Sequence, residues 1–222
     1  MYDVALHGHL TIDTIVDDTR ETKTLGSMAN VWKSLVTLDP SLRVGISPIH
    51  IGEALIYVDH DSSRRYSKGA LNLKTLRPRI QTAKIHHITY INEIDDLEFI
   101  KSLDGIVCAD VCAGKPLRGD IINYIDYLFI SDEDSNNLNE LVKGTKGWVV
   151  QHGSTWSWVT DGHVVCEYNL PREKHLSNVN VLGAGDTFAS CFLYKLLRGE
   201  GDIKDWIEYS HLTTTDIIKN SI

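Results

Sequence analysis

The run Val181-Leu182-Gly183-Ala184-Gly185-Asp186-Thr187-Phe188 sets an acid directly behind two glycines that flank a small residue, where a helix-like segment begins. A glycine turn of this kind gathers backbone N–H groups around one anion, and the dipole of the following helix favours negative charge at the same spot. A carboxylate is unwelcome there if the turn only binds. It is wanted where a hydroxyl must lose its proton while attacking phosphorus. The pattern therefore points to phosphoryl transfer to an alcohol.

Gly-x-Gly also occurs in loops that merely start a helix, and the apolar Phe188, Cys191, Phe192 and Leu196 fit such packing. That plain reading leaves the acid unexplained. A methyltransferase glycine loop opens its fold and needs several βα units behind it, but only 36 residues follow Asp186 in this 222-residue chain. A dinucleotide fingerprint needs G-x-G-x-x-G early in the fold, and a Walker A loop needs Gly-Lys-Ser/Thr. Neither is present.

The elements that must position this turn alternate. Apolar runs at 2–7, 85–91, 105–109, 127–130, 147–152 and 157–160 read as strands, and 43–46 as a short strand broken by Pro48. Residues 12–16 read as a further strand after Gly8. Residues 27–38 carry Ala29, Val31, Trp32, Leu35 and Val36 on one face, a helix stopped by Asp39-Pro40. A helix is expected over 95–103. Ser131 reads as the N-cap of the next helix, with acids in its first turn and Gly144 at its end. Asp161-Gly162 marks a hairpin, and final helices run over about 183–197 and from 203 onward. Strand–helix alternation implies an α/β fold with a mainly parallel sheet. The alternating stretches at about 11–25 and 54–68 break that rhythm and are expected to form a small sheet beside the main one.

The segment 183–188 resembles the C-terminal signature of the PfkB/ribokinase family of carbohydrate and nucleoside kinases. The resemblance implies one ribokinase-like domain over 1–222, a three-layer αβα sandwich with a reduced β lid from the two alternating stretches. It makes Asp186 the catalytic base and the Gly183, Ala184 and Gly185 amides the anion hole. His9-Leu10-Thr11-Ile12-Asp13 is similar to the family's first strand, whose acid binds substrate hydroxyls. Leu25-Gly26-Ser27-Met28-Ala29-Asn30 is similar to its glycine-pair helix start, with Leu25 in place of the first glycine. Asp13, Gly26 and Asn30 are the implied substrate contacts. Ser131-x-x-Asp134 stands where the family has Asn-x-x-Glu, so Ser131 is expected near the nucleotide and Asp134 near Mg²⁺. Gln151-His152-Gly153-Ser154-Thr155-Trp156 aligns with the nucleotide loop, with Gly153 and Ser154 as the implied contacts. The implied activity is ATP- and Mg²⁺-dependent phosphorylation of a sugar, small polyol or nucleoside hydroxyl. Leu25, Gln151 and Trp156 depart from the pattern and motivate a second reading, a homologue that binds a small molecule or protein without turnover.

A net charge of −8 and the lack of a Lys/Arg-rich run argue against nucleic acid as main partner. Residues 1–6 lack the basic leader and apolar stretch of a signal peptide, and no run is long enough for a membrane span. Cys108, Cys112, Cys166 and Cys191 match no zinc spacing and are expected as free thiols in a reducing, cytoplasmic compartment. His7/His9 and His86-His87 have no acid at ligand spacing, so a metal–histidine site is not expected. Arg64 and Arg65 sit in the second lid stretch, and lid strands could pair two copies into a homodimer.

Overall fold

The structure, a computed structural model, describes residues 1–17, 20–58, 65–111, 117, 119–132, 138–176 and 181–220, with backbone alone at 65–72, 119 and 138–140. In chain order the elements are β1 (Tyr2–Val16), β2 (Glu21–Leu25), α1 (Ser27–Leu38), β3 (Val44–Val58), β4 (Arg65–Thr75), β5 (Thr82–Ile88) and β6 (Asp104–Asp110). Then follow α2 (Gly119–Ile122), β7 (Tyr127–Ser131), α3 (Leu138–Gly144), β8 (Trp148–His152), β9 (Trp156–Thr160), β10 (Val165–Asn169), α4 (Ala184–Arg198) and α5 (Ile203–Lys219). Among the described residues these strands form one sheet, β10-β9-β8-β7-β6-β5-β1-β3-β4, with β2 beside β1. The pairs from β3 through β1, β5, β6 and β7 to β8 are parallel. Antiparallel strands finish both ends.

The near-continuous apolar strands are explained by a core on each face, as parallel sheets require. Cys108, Phe129 and Val150 point to one face and pack with Met28, Val31, Leu35, Phe188 and Phe192 of α1 and α4. Their neighbours Val107, Ala109, Leu128, Ile130 and Val149 point to the other, against Ile91, Ile94, Leu97, Ile100 and Ile121. Successive side chains of a strand face opposite ways, so one strand feeds both cores. The result is the expected three-layer α/β architecture.

Beyond this sandwich the sheet runs on. β1 and β3 stay paired out to Val16↔Tyr57, β2 folds back on β1, and β4 folds back on β3. The stretches expected near 11–25 and 54–68 fall in this extension, except residues 18–19 and 59–64, which lie outside the described residues.

Several local expectations are corrected. Residues 2–16 form one strand through Gly8, whose φ of +124° is open to glycine; a side chain there would overlap Thr89. β3 runs through Pro48 because the proline sits at a bulge, opposite Gly8, where the register slips. The helix expected over 95–103 is replaced by 3-10 turns at Ile91–Glu93 and Glu98–Ser102. Ile91, Ile94, Leu97 and Ile100 are all buried, and a three-residue spacing suits 3-10 rather than α geometry. Ser131 is the last residue of β7 and Asp132, directly after it, opens a 3-10 turn; residues 133–137, Asp134 among them, lie outside the described residues. Cys108, Cys166 and Cys191 are free thiols, and Cys112 is outside the described residues. No helix among those described is long and apolar enough to cross a membrane.

α5 shows how local sequence starts a helix. The Asp202 carboxylate accepts from the N–H groups of Lys204 and Asp205, and the Asp205 carboxylate accepts from the Asp202 N–H. Both ends of this reciprocal pair satisfy amides that the helix itself leaves unpaired. Asp202→Ala should therefore lower Tm by about 2–4 °C in a scanning calorimeter; an unchanged Tm would mean that α5 docking alone sets this terminus.

Candidate functional site

α4 begins at Gly183, which is left-handed (φ 79°, ψ 7°). A side chain there would be strained, and its Cβ would come 3.2 Å from Asn30 Nδ2. Gly185 lies against His152, whose Cε1 would stand 3.3 Å from an added Cβ. The Ala184 N–H donates to Val181 O at 3.0 Å. The glycines thus let the first turn of α4 close on both α1 and β8.

Asp186, in that turn, is buried. Ser27 Oγ donates to its Oδ1 at 2.6 Å and Asn30 Nδ2 to its Oδ2 at 2.8 Å. Residues three apart share a face of α1, so two side chains meet two carboxylate oxygens from one direction. Ser190 Oγ reaches both Asp186 O (2.6 Å) and Val31 O (3.3 Å), tying α4 to α1 behind the site. Burial pushes the Asp186 carboxyl up to about 7, helped by the like charge of Asp110. The two hydrogen bonds and His87 offset part of this.

Asp13 sits next door. Thr11 Oγ1 donates to its Oδ1 at 2.6 Å, and the Gly26 N–H donates to Thr11 O at 3.0 Å. Burial raises the Asp13 carboxyl, and the Thr11 hydroxyl pulls it back. Gly26 has no room for a side chain, since an added Cβ would overlap the Thr11 hydroxyl and stand 2.8 and 3.0 Å from the Asp13 oxygens. Leu25 is exposed, opposite Ile12 on β1. The consecutive pair Gly26-Ser27 therefore joins Asp13 to Asp186, and the structure brings Asp13, Gly26, Asn30 and Asp186 into one cluster.

The remaining expected residues stand at the ends of β7 and β8. Ser131 O accepts from Gln151 Nε2 at 3.4 Å. The Gly153 N–H donates to Trp156 O at 2.8 Å, and a Cβ on Gly153 would lie 2.8 Å from the indole Nε1 and 3.0 Å from Asp132 Oδ2. Trp156 thus fills the space beside the one glycine that this loop keeps. Ser154 O lies 3.3 Å from His211 Nε2 of α5. His152 links the two regions, with its ring 4.8 Å from that of Phe188 and its edge against Gly185. All of these groups lie beyond the carboxyl ends of parallel strands, where α/β sheets bind ligands. Among the described residues no group of three His, Cys, Asp or Glu could hold a metal ion.

Three contributors were missed in the sequence. Ser27 lay unremarked between Gly26 and Asn30. Asp110, ending the apolar run Gly105-Ile106-Val107-Cys108-Ala109, carried a usable signal, an acid at the carboxyl end of a buried strand. His87 carried none, because only the sheet sets its Nε2 3.4 Å from Asp110 Oδ2.

With this geometry the chain has the fold of the ribokinase-family kinases, an α/β sandwich whose glycine turn opens a late helix beside an acid. It resembles ribokinase from Thermotoga maritima, at 14% identity over 98% of this chain and 93% of that one, with a TM-score of 0.72. It also resembles adenosine kinase from Trypanosoma brucei brucei (12% identity, 98% of both chains, TM-score 0.71). A third likeness is to a pyrophosphate-dependent kinase in the ribokinase family (15% identity, 97% and 95%, TM-score 0.67). No protein-family model matches the chain, and no curated protein matches its sequence.

Proposed function

We propose that this chain is a phosphotransferase of the PfkB/ribokinase family, moving a phosphoryl group from ATP to a hydroxyl of a sugar or a related small polyol or nucleoside. The observation that carries the reading is Asp186: a buried carboxylate at the start of α4, directly behind a left-handed glycine, with each oxygen held by α1. Asp13 and Asn30 orient the acceptor, and Gly26 lets it approach the backbone. Asp186 takes the hydroxyl proton as the acceptor oxygen bonds to the γ-phosphorus and the bond to the ADP oxygen breaks. The Gly183 and Gly185 amides, with that of Ala184 if its turn to Val181 opens, stabilise the charge on the transferring group.

Magnesium, when bound with the nucleotide, would supply neutralisation of phosphate charge. Asp134 is the residue proposed to hold it through water. Asp134 lies outside the described residues; the described acid nearest it in sequence, Asp132, has its carboxylate beside Gly153. A cytoplasmic location fits the free thiols and the ATP requirement. β4 ends the described sheet, and its outer edge is the proposed pairing surface of a homodimer.

A specific observation favours a second reading of the donor. Trp156 occupies the space beside Gly153, where the family's nucleotide loop would open, which leaves less room for a base than for bare phosphates. Structural neighbours include pyrophosphate-dependent kinases. The test is to incubate the full chain with Mg²⁺, a panel of sugars, polyols and nucleosides, and either ATP or pyrophosphate. Acceptor-dependent ADP release is the expected result; phosphate release from pyrophosphate alone would shift the donor to the smaller anion. No turnover with either donor, together with no ATP binding by calorimetry, would leave the binding-only homologue.

A further inference from the structure

We propose that Ser27 is a positioning residue for the base: its hydroxyl, held on Asp186 Oδ1 by the packing of α1 against α4, keeps that carboxylate ionised and ready to take the acceptor proton. The inference rests on the reading of Asp186 as base.

Ser27 is the first residue of α1 and is buried. A serine at a helix start ordinarily turns its hydroxyl to the free amides of its own helix. Here the N-cap is Gly26 and the terminus has no side-chain cap. The Ser27 Oγ donates instead to Asp186 Oδ1 on another helix, at 2.6 Å. That length belongs to a hydroxyl bound to a charged oxygen. An ionised carboxylate can only accept, so the bond as it stands favours the form that acts as base.

The two donors to the carboxylate are not equivalent. Asn30 Nδ2 donates to Oδ2 at 2.8 Å and also lines the glycine turn, 3.2 Å from a Cβ placed on Gly183. Asn30 is half-buried and, in the proposed function, orients the acceptor as well. Ser27 is only 5% exposed, so its effect falls on the base rather than on acceptor binding. The contact is also braced. Met28, Val31 and Leu35 anchor α1 with no exposure. One helical turn behind, Ser190 Oγ reaches Asp186 O at 2.6 Å and Val31 O at 3.3 Å, which joins the two helices.

The rest of the surroundings oppose ionisation on balance. Burial disfavours the charge, Asp110 of β6 adds a like charge, and His87 of β5 acts in the opposite sense. Asp13 of β1 stands across Gly26, and His152 of β8 across Gly185. A base that titrates at about 7 in this setting would be mostly protonated at neutral pH after losing one donor.

The test is a carbon-13 carboxyl NMR titration of the full chain, with the Asp186 resonance identified by its loss in Asp186→Asn, alongside the pH profiles of kcat and KM. The wild-type midpoint is expected at about 7. Ser27→Ala should raise it by on the order of one pH unit. Its kcat/KM at pH 7 should then fall roughly five-fold and recover to within about two-fold of wild type by pH 9. Ser27→Thr keeps the hydroxyl and should hold the midpoint near the wild-type value. A midpoint in Ser27→Ala that stays or falls overturns the proposal. So does a raised acceptor KM with an unmoved acidic limb, which would make Ser27 a packing residue. If Ser27→Ala does not fold, Ser27→Cys decides, since its weaker donor should also raise the midpoint. The titration needs no substrate, so its failure leaves Asp186 standing as base. Full activity of Asp186→Asn would instead sink the base and leave the titration result intact.

Discussion

Asp186→Asn is expected to lower kcat by on the order of 10²–10⁴-fold while raising the stability of the protein at pH 8. The rate loss follows from removing a positioned general base. The substitution keeps the shape: Asn has an oxygen for Asn30 and an N–H for the Ser27 oxygen, so both hydrogen bonds survive, the one to Ser27 with its direction reversed. The stability gain follows from linkage. The folded carboxyl titrates at about 7 against an ordinary value of 3.8, so the folded state holds the proton more tightly. The stability this confers is complete below about 3.8 and is lost as pH rises to about 7. Above that, the wild type carries a buried charge that costs at most about 4 kcal/mol, at 1.36 kcal/mol per unit. The Asn variant carries none, so the two should converge below pH 4 and separate by pH 8. Chemical denaturation at pH 4 and pH 8 reads the difference directly. Undiminished turnover would remove Asp186 from the chemistry; an Asn variant weaker than wild type at pH 8 would mean that the ionised form is favoured by its partners after all.

Gly26→Ala is the second substitution with a large expected effect. The added methyl would overlap the Thr11 hydroxyl and press on both Asp13 oxygens. Neither side can withdraw easily. Thr11 and Asp13 lie on β1, paired on one side with β2 and on the other with β3. α1 is anchored by Met28, Val31 and Leu35, all fully buried. The strain should cost about 1–3 kcal/mol. If Asp13 moves by about 1 Å, kcat/KM should fall by on the order of 10²-fold, mainly through KM, because the residue that orients the acceptor is displaced while the base stays in place. Steady-state kinetics over a range of acceptor concentrations separates the two constants. A fall in kcat at constant KM would relocate Asp13 from acceptor binding to the chemical step.

Some of this was legible in the sequence because it is local. The helix at Ser27–Leu38 matches its apolar spacing and its Asp39-Pro40 stop, and the Asp161-Gly162 hairpin falls between β9 and β10. The expectations that failed were also local, but competed with neighbours outside their window. Pro48 does not break β3, because Gly8 on the adjacent strand accommodates a bulge. Residues 95–103 do not form an α-helix, because their apolar side chains must all reach the second core at three-residue intervals.

The sequence by itself determined the glycine turn with its acid, the strand–helix alternation and the order of Asp13, Gly26, Asn30 and Asp186. The turn and the alternation are properties of residues within a few positions of one another, where backbone conformation and periodicity act, and the order is read directly along the chain. Only the tertiary structure decided the state of the acid. Ser27 and Asn30 reach Asp186 across more than 150 positions of chain, and Asp110 and His87 act on it electrostatically from β6 and β5. Trp156 likewise closes on Gly153 only once β8 and β9 are paired. Burial and charge act through space and are set by packing, so the proton affinity of Asp186 and the room left for a donor could be read only from the folded chain.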